Sequence, residues 1–292
     1  MKQAYFNFAF LLTFFAFSTL QAQLVLPKES PKASISYTVG LTEISIDYFS
    51  PAVKERNIWG NLVPYGEVWR AGANDATTMT FSTDLKIEGK DLKAGTYAFF
   101  IIPKEGEEEM WTAIFNTDSD QWGAFEYDES KDALRVDFKP KDSGVNIERL
   151  AYSIHDQDID KGYIKLAWEK KRLYLRFNLD VMDQAMANIN AALESAEPNK
   201  KWMTLTQGAQ FLLEQEENLD LALEWSRQST ELKDHSWNWY VRAQIFAAKG
   251  KYKEAMDSVT KSRTLGAKEK DKYFKTNKEK ILASVAEWKE KV

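Results

Sequence analysis

The chain has no cysteine and only two histidines, His155 and His235, and these shortages remove whole classes of chemistry before any motif is read. Without a thiol there is no disulfide, no thiolate nucleophile and no thiolate metal site, so the fold must stand on packing. His155 and His235 fall in segments of different periodicity and form no zinc pair, and a Ser-His-Asp triad would rest on His155 alone, in the acidic stretch HDQDID. There it reads as an exposed residue at a strand end. A phosphate-cradling glycine loop is missing too: Gly60, Gly66 and Gly72 are spread too widely, and no helical pattern follows them. Nor is there a basic excess. The formal charge of −5 argues against nucleic acid or an anionic membrane surface as a partner.

What is present suffices for two cores: 292 residues, 44% hydrophobic and 13% aromatic. Residues 1–22 carry Lys2, an apolar run from Phe8 to Phe17, then Ser18, Thr19 and Ala22 before Gln23. That run is short for a membrane span of about 20 residues, so it reads as a secretory signal peptide. Its removal leaves no stable span and places the protein in the periplasm or outside the cell. Basic residues then fall from 39 to 38 against 44 acidic ones, a charge of −6.

From Ala33 to Phe177 apolar residues alternate with polar ones at the period of strands. Ile44, Ile46 and Tyr48 share one face and Ser45, Asp47 and Phe49 the other; Met79 and Phe81, Leu150, Tyr152 and Ile154, Ile164, Leu166 and Trp168, and Leu173, Leu175 and Phe177 repeat the pattern. Tyr97 to Ile102 is apolar on both faces and predicts a central strand. Turn signals at Gly40, Gly89, Gly95 and Gly162 separate these runs. The expectation for residues 23–177 is an antiparallel β-sandwich or open barrel.

After Asn178 the period becomes helical. Asp180 is the expected N-cap of a helix with Met182, Met186, Ile189 and Leu193 on one stripe, ended by Pro198. Downstream, Leu205, Ala209 and Leu212 with Ala222, Ser226 and Ser229, then Trp239, Ala243 and Phe246 with Ala255, Val259 and Ser262, fall at the packing offsets of a helix-pair repeat. Residues 178–292 therefore resemble a tetratricopeptide-repeat domain, a pair covering about Trp202 to Thr264. A capping helix is expected from Lys268 to Lys291, with Phe274, Ile281, Val285 and Trp288 on one side. The chain as a whole is thus a two-domain α+β protein. Trp237, which the repeat pattern does not require, is expected to be buried against the neighbouring domain.

The stretch Arg56 to Thr78, RNIWGNLVPYGEVWRAGANDATT, fits neither period. Long ordered connections of this kind are commonly functional. Arg56, Trp59, Tyr65, Trp69, Arg70 and Asn74 are its candidate ligand-binding residues: aromatic faces to stack a sugar or apolar group, guanidinium forks to hold a carboxylate or hydroxyls. The competing reading has the tryptophans plugging the end of the sandwich and the arginines serving loop carbonyls. The blocks Ile58-Trp59-Gly60, Leu62-Val63-Pro64-Tyr65-Gly66, Val68-Trp69-Arg70, Gly72-Ala73-Asn74, Ala94-Gly95-Thr96-Tyr97 and Gln121-Trp122-Gly123-Ala124-Phe125 carry a resemblance that runs to about Trp168. They resemble the family labelled domain of unknown function 2911. Ala52 and Glu55 stand where that pattern has Gly, and Ala71 where it has Thr, so a tight turn near Arg56 lacks its usual glycines. The resemblance implies no activity and supplies no catalytic residue.

Asp118, Asp120, Gly123 and Glu129 match positions 1, 3, 6 and 12 of a calcium-loop template, but Trp122 at position 5 offers no side-chain oxygen and strands should flank the loop. An acidic solvated turn is the preferred reading, with no metal and no cofactor. Asp47, Asp75, Glu126 and Asp128 supply carboxylates near the candidate loop. The expected function is that of a non-enzymatic exported binding or scaffold protein, holding a small-molecule or glycan ligand at the Arg56 to Thr78 loop and a protein or peptide partner on the helical repeats. The alternative is a hydrolase of small or glycan-like substrates using those carboxylates.

Overall fold

The computed structural model describes residues 26–268 and 271–292; the leader expected over residues 1–22 lies outside the described residues. Ten strands come first: β1 (Lys32–Val39), β2 (Thr42–Phe49), β3 (Thr77–Phe81), β4 (Leu85–Ile87), β5 (Lys90–Leu92), β6 (Gly95–Ile102), β7 (Trp111–Asn116), β8 (Asp132–Phe138), β9 (Lys141–Asp158) and β10 (Lys161–Leu179). They form two antiparallel sheets, one ordered β1-β2-β3-β6-β7-β8 and one ordered β5-β4-β10-β9. The result is an open sandwich rather than a closed barrel.

The alternation explains the layers. Ile44, Ile46, Met79, Phe81, Phe99 and Phe115 of the larger sheet meet Leu150, Ile164, Leu166, Leu173, Leu175 and Phe177 of the smaller one in a single buried core. Strand β6 is buried on both faces, as its unbroken apolar run predicts: Tyr97, Phe99 and Ile101 point into that core. Ala98 and Phe100 join Ala76 and Ile114 in a second, smaller cluster on the opposite face. Two connections roof this second cluster, through Val68 on one and Ala124 and Tyr127 on the other. These two connections carry the candidate site.

Among the described residues six helices follow: α1 (Val181–Ser195), α2 (Lys201–Glu214), α3 (Leu219–Leu232), α4 (Ser236–Ala248), α5 (Tyr252–Lys268) and α6 (Lys272–Lys289). Asp180 caps α1 by accepting from the Asp183 N–H at 3.2 Å. Val181 of α1 is part of the sandwich core, and Gln184 Nε2 donates to Thr83 Oγ1 at 3.3 Å, so the first helix is anchored on the sheets. Helices α2 and α3 pack on each other, as do α4 and α5, with the small residues Ala209, Ala222, Ala243 and Ala255 fully buried where the helices approach. Helix α6 starts at Lys272 rather than Lys268, because Asp271 caps it by accepting from the Tyr273 N–H at 2.9 Å.

Trp237 corrects an expectation. It does not reach the β domain but lies across the helical layer, half-buried, its Nε1 donating to Gln210 Oε1 of α2 at 3.0 Å and its ring 5.8 Å from Tyr273 of α6. Among the described residues no helix is long and apolar enough to cross a membrane.

Candidate functional site

The loop after β2 turns without its glycines. Lys54 (φ 48°) and Glu55 (φ 57°) both take the left-handed conformation, and Ala71 (φ 50°) and Asn74 (φ 55°) do so further along. The tight turn therefore forms through strained non-glycine residues. Arg56 explains how the loop is held: its Nε donates to the Val53 carbonyl at 3.0 Å and its Nη2 to the Ala52 carbonyl at 2.5 Å. The Val53 carbonyl also accepts from the Arg56 N–H at 3.1 Å, so one residue closes the turn with its main chain and its guanidinium together.

Trp59 and Trp69 behave as a plug. They are 9% and 8% exposed, and with Trp111 of β7 and Trp168 of β10 they fill the end of the sandwich. The Trp59 ring lies 5.6, 4.9 and 5.9 Å from those of Trp69, Trp111 and Trp168. Trp69 Nε1 donates to the Gly72 carbonyl at 3.2 Å. Tyr65 packs half-buried against the same core and covers Gly60, where an added Cβ would sit 2.7 Å from the tyrosine ring.

Arg56, Trp69, Arg70 and Asn74 reach the wall of one cavity of 260 Å³, together with Lys54; Trp59 and Tyr65 do not. Arg70 is the outlier in this group. It is half-buried, its Nε is sealed from solvent without a hydrogen-bond partner, and among the described residues its guanidinium makes neither an ion pair nor a hydrogen bond. Burial pushes its pKa below the ordinary arginine value, yet a guanidinium stays charged at any physiological pH. A charge withdrawn from water without a partner is unfavourable, and an anion at that spot relieves it.

Beside Arg70 lies the second connection, which no strand or helix period marks. Its residues 121–123 run antiparallel to 74–76: Asp75 bridges Trp122, Ala76 N–H donates to the Gln121 carbonyl at 2.9 Å, and Gly123 N–H to the Asn74 carbonyl at 3.1 Å. In extended chain successive side chains point to opposite sides. Gln121, 4% exposed, therefore turns inward while Trp122, 64% exposed, turns out. Gly123 (φ 73°) then reverses the chain so that Phe125, 78% exposed, stacks on Trp122 with centroids 5.5 Å apart and planes 18° from parallel. Glycine takes that conformation without strain, and the approach is close: a Cβ would lie 2.8 Å from the Phe125 ring and 4.0 Å from Arg70 Nη1.

Across the Asn74–Asp75 segment is a second cavity, of 310 Å³, whose wall includes Asp47, Asp75, Asp120, Gln121 and Trp122. The residues Trp122, Phe125 and Asp120 thus join Arg70 and Asn74 at one end of the molecule. Trp122 and Phe125 are not among the candidate ligand-binding residues that the sequence singles out. The available signal is the pair of bulky aromatics, Trp122 and Phe125, inside an otherwise polar, turn-forming stretch.

The calcium template does not close. Asp118 pairs with Lys131 at 2.7 Å, Glu129 with Arg135 at 3.1 Å, and Asp120 faces the second cavity. Among the described residues no group of three or more His, Asp or Glu side chains is arranged to hold a metal ion. Of the carboxylates that the hydrolase alternative would need, Asp47 and Asp75 share the second cavity, whereas Asp128 caps the single turn Glu129–Lys131 by accepting from the Ser130 N–H at 2.9 Å. His155 is half-buried rather than exposed, stacked on Tyr163 at 4.8 Å, and His235 caps α4, accepting from the Trp237 N–H at 3.1 Å.

Comparison with curated proteins gives no match, and comparison with solved structures gives none either. Residues 30–177, the span that holds both connections and all but the last residues of β10, match the family model described as Protein of unknown function (DUF2911), and the chain belongs to that family.

Proposed function

We propose that this is an exported binding protein whose β domain takes an anionic ligand with a flat apolar face at the end of the sandwich marked by Arg70. The carrying observation is the half-buried Arg70 guanidinium without a partner among the described residues, next to a cavity and to two aromatic rings left in solvent. Guanidinium forks bind carboxylates in bidentate geometry, and exposed flat rings accept a ligand's apolar face. Single apolar side chains on a surface need no explanation; two stacked aromatic rings beside an unpaired cation do.

Galacturonic acid and its methyl ester are suitable probes, since they differ by one methyl group and the negative charge it removes. Titration calorimetry is expected to show the acid binding more tightly than the ester, and Arg70→Gln is expected to erase that difference. Equal affinities for acid and ester in the native protein overturn the reading.

The helical part is proposed to meet a peptide or protein partner, on the resemblance of its packing register to tetratricopeptide repeats. Export rests on the apolar run Phe8 to Phe17; a mature chain that starts at Gln23 by mass spectrometry establishes it. Asp47 and Asp75 in one cavity favour the hydrolytic alternative. Turnover in a glycosidase or esterase screen that disappears with Asp75→Ala would carry that alternative instead.

A further inference from the structure

The 310 Å³ cavity beyond the Asn74–Asp75 segment from Arg70 carries three carboxylates against a single cation, Lys32. Asp47, Asp75 and Asp120 line it, and among the described residues none of the three makes an ion pair or a side-chain hydrogen bond. Three carboxylates alone define no site. Gln121 adds an independent observation: it is 4% exposed, stands in the cavity wall, and its Oε1 has no donor. The amide cannot be turned to cure this. Its Nε2 donates to the Asp118 carbonyl at 2.6 Å and to Asn116 Oδ1 at 3.2 Å, and a carbonyl only accepts, so the oxygen is committed to the other side. A buried amide oxygen without a donor costs about 1–3 kcal/mol. Thr78 and Ser119 hydroxyls also line the cavity, yet neither of them reaches Gln121 Oε1, and one cation faces three carboxylates.

The two cavities are neighbours. Asn74 lines the one that Arg70 faces, and Asp75, the next residue, lines the acidic one. At that point they are separated by one extended segment, with the Trp122 ring at its rim. A ligand spanning them meets a guanidinium on one side, an aromatic face in the middle and carboxylates on the other.

We propose that the acidic cavity is an ammonium subsite, so that the ligand of this protein is a zwitterion carrying an amine and a carboxylate on one compact body. The inference rests on the anion reading above and deepens it. Charge complementarity argues against a polyanion, which the three aspartates would repel, and against a neutral sugar, which would leave Arg70 unpaired. Two sources share the required chemistry, an amino sugar bearing a carboxylate and a short peptide with free ends.

The test removes the ammonium charge from ligands that keep their carboxylate, and the aspartate variants separate that charge from the added bulk. Titration calorimetry on the full chain compares muramic acid with N-acetylmuramic acid, and alanylalanine with N-acetyl-alanylalanine; acetylation removes the ammonium and keeps the carboxylate. At least one free amine is expected to bind about tenfold more tightly than its acetylated counterpart, and the pair that shows the gap identifies the source. Asp75→Asn, and separately Asp120→Asn, are expected to bring that ratio close to one, with unchanged melting temperatures as the control for folding. Acetylated compounds that bind as well as the free amines, with dependence on Arg70, overturn the ammonium subsite and leave the anion reading standing. Glucosamine binding that depends on Asp75 but not on Arg70 keeps the ammonium subsite and removes the anion reading. No binding of any probe overturns both.

Discussion

Trp122 and Phe125 lie face to face across Gly123 with centroids 5.5 Å apart, and both remain mainly in solvent at 64% and 78% exposure. Trp59, in the other connection, is 9% exposed and touches three further indoles. The same residue type therefore has opposite duties at one end of the molecule. Trp59→Ala removes a ring from a packed plug and is expected to destabilise the chain by about 3–5 kcal/mol. Trp122→Ala takes away only exposed surface, while the bridge to Asp75 is made by main chain; a change within about 0.5 kcal/mol is expected. Urea denaturation of the two variants separates them. A Trp122→Ala loss as large as that of Trp59→Ala would mean that the pair is structural.

Glu55 is exposed, yet its backbone sits at φ 57°, next to Lys54 at φ 48°. A side chain in the left-handed region raises the energy by about 1–2 kcal/mol, and glycine is free of that strain. Because glycine also gives the unfolded chain more freedom, the expected net gain from Glu55→Gly is about 1 kcal/mol. A higher urea midpoint with an unchanged slope is the predicted reading; a lower midpoint shows that the turn is not left-handed in solution.

Tyr127 roofs the second core cluster, its hydroxyl donating to Asp132 Oδ2 at 2.6 Å and accepting from Arg135 Nη2 at 2.6 Å. Burial, and then the Asp132 bond, push its pKa up to about 12 from an ordinary 10.0. The folded state thus prefers the neutral phenol. Its contribution is fully present below pH 10 and is lost as pH rises toward 12. Tyr127→Phe is expected to be less stable than the native chain at neutral pH, by about 1 kcal/mol for the lost hydrogen bond, and to lose less stability over the alkaline range. Melting temperatures at stepped pH for both chains give the comparison; parallel curves would show that Tyr127 does not titrate across folding.

The strands were legible because burial on one face leaves a period of two, and the central strand because burial on both faces erases it. The sheet order was not legible. Ile87 of β4 pairs with Phe177 of β10, ninety positions on, and nothing local in either strand names the other. The candidate loop was legible only as an irregular one. Trp59 is buried because Trp111 and Trp168 arrive from β7 and β10, and Trp122 is exposed because Gln121 takes the inward place in a two-residue alternation set by pairing with Asp75. Both outcomes depend on neighbours distant in sequence. Arg56 and Arg70 show the same limit, the first serving two loop carbonyls and the second none among the described residues.

The end of the helical stack depends on a residue without a side chain. Gly266 lies in α5 where α6 crosses, and a Cβ there would sit 2.2 Å from Phe274 Cγ and 2.5 Å from Phe274 Cβ. Atoms that close to the ring's root cannot be relieved by turning the ring, so α6 must move. Gly266→Ala gains helix propensity of about 1 kcal/mol, but overpacking of this kind costs about 1–3 kcal/mol, and the net expectation is a destabilised C-terminal helix. Phe274→Ala alone opens a cavity and also destabilises. In the double variant the new methyl occupies part of the space the ring vacated, so the two losses should not add. A coupling of at least about 1 kcal/mol in the favourable direction is expected from the double-mutant cycle. Hydrogen exchange in α6 provides the local reading: faster exchange in Gly266→Ala, with the sandwich amides unchanged. Additive losses would place Phe274 away from Gly266 and remove the packing that seats α6 on α5.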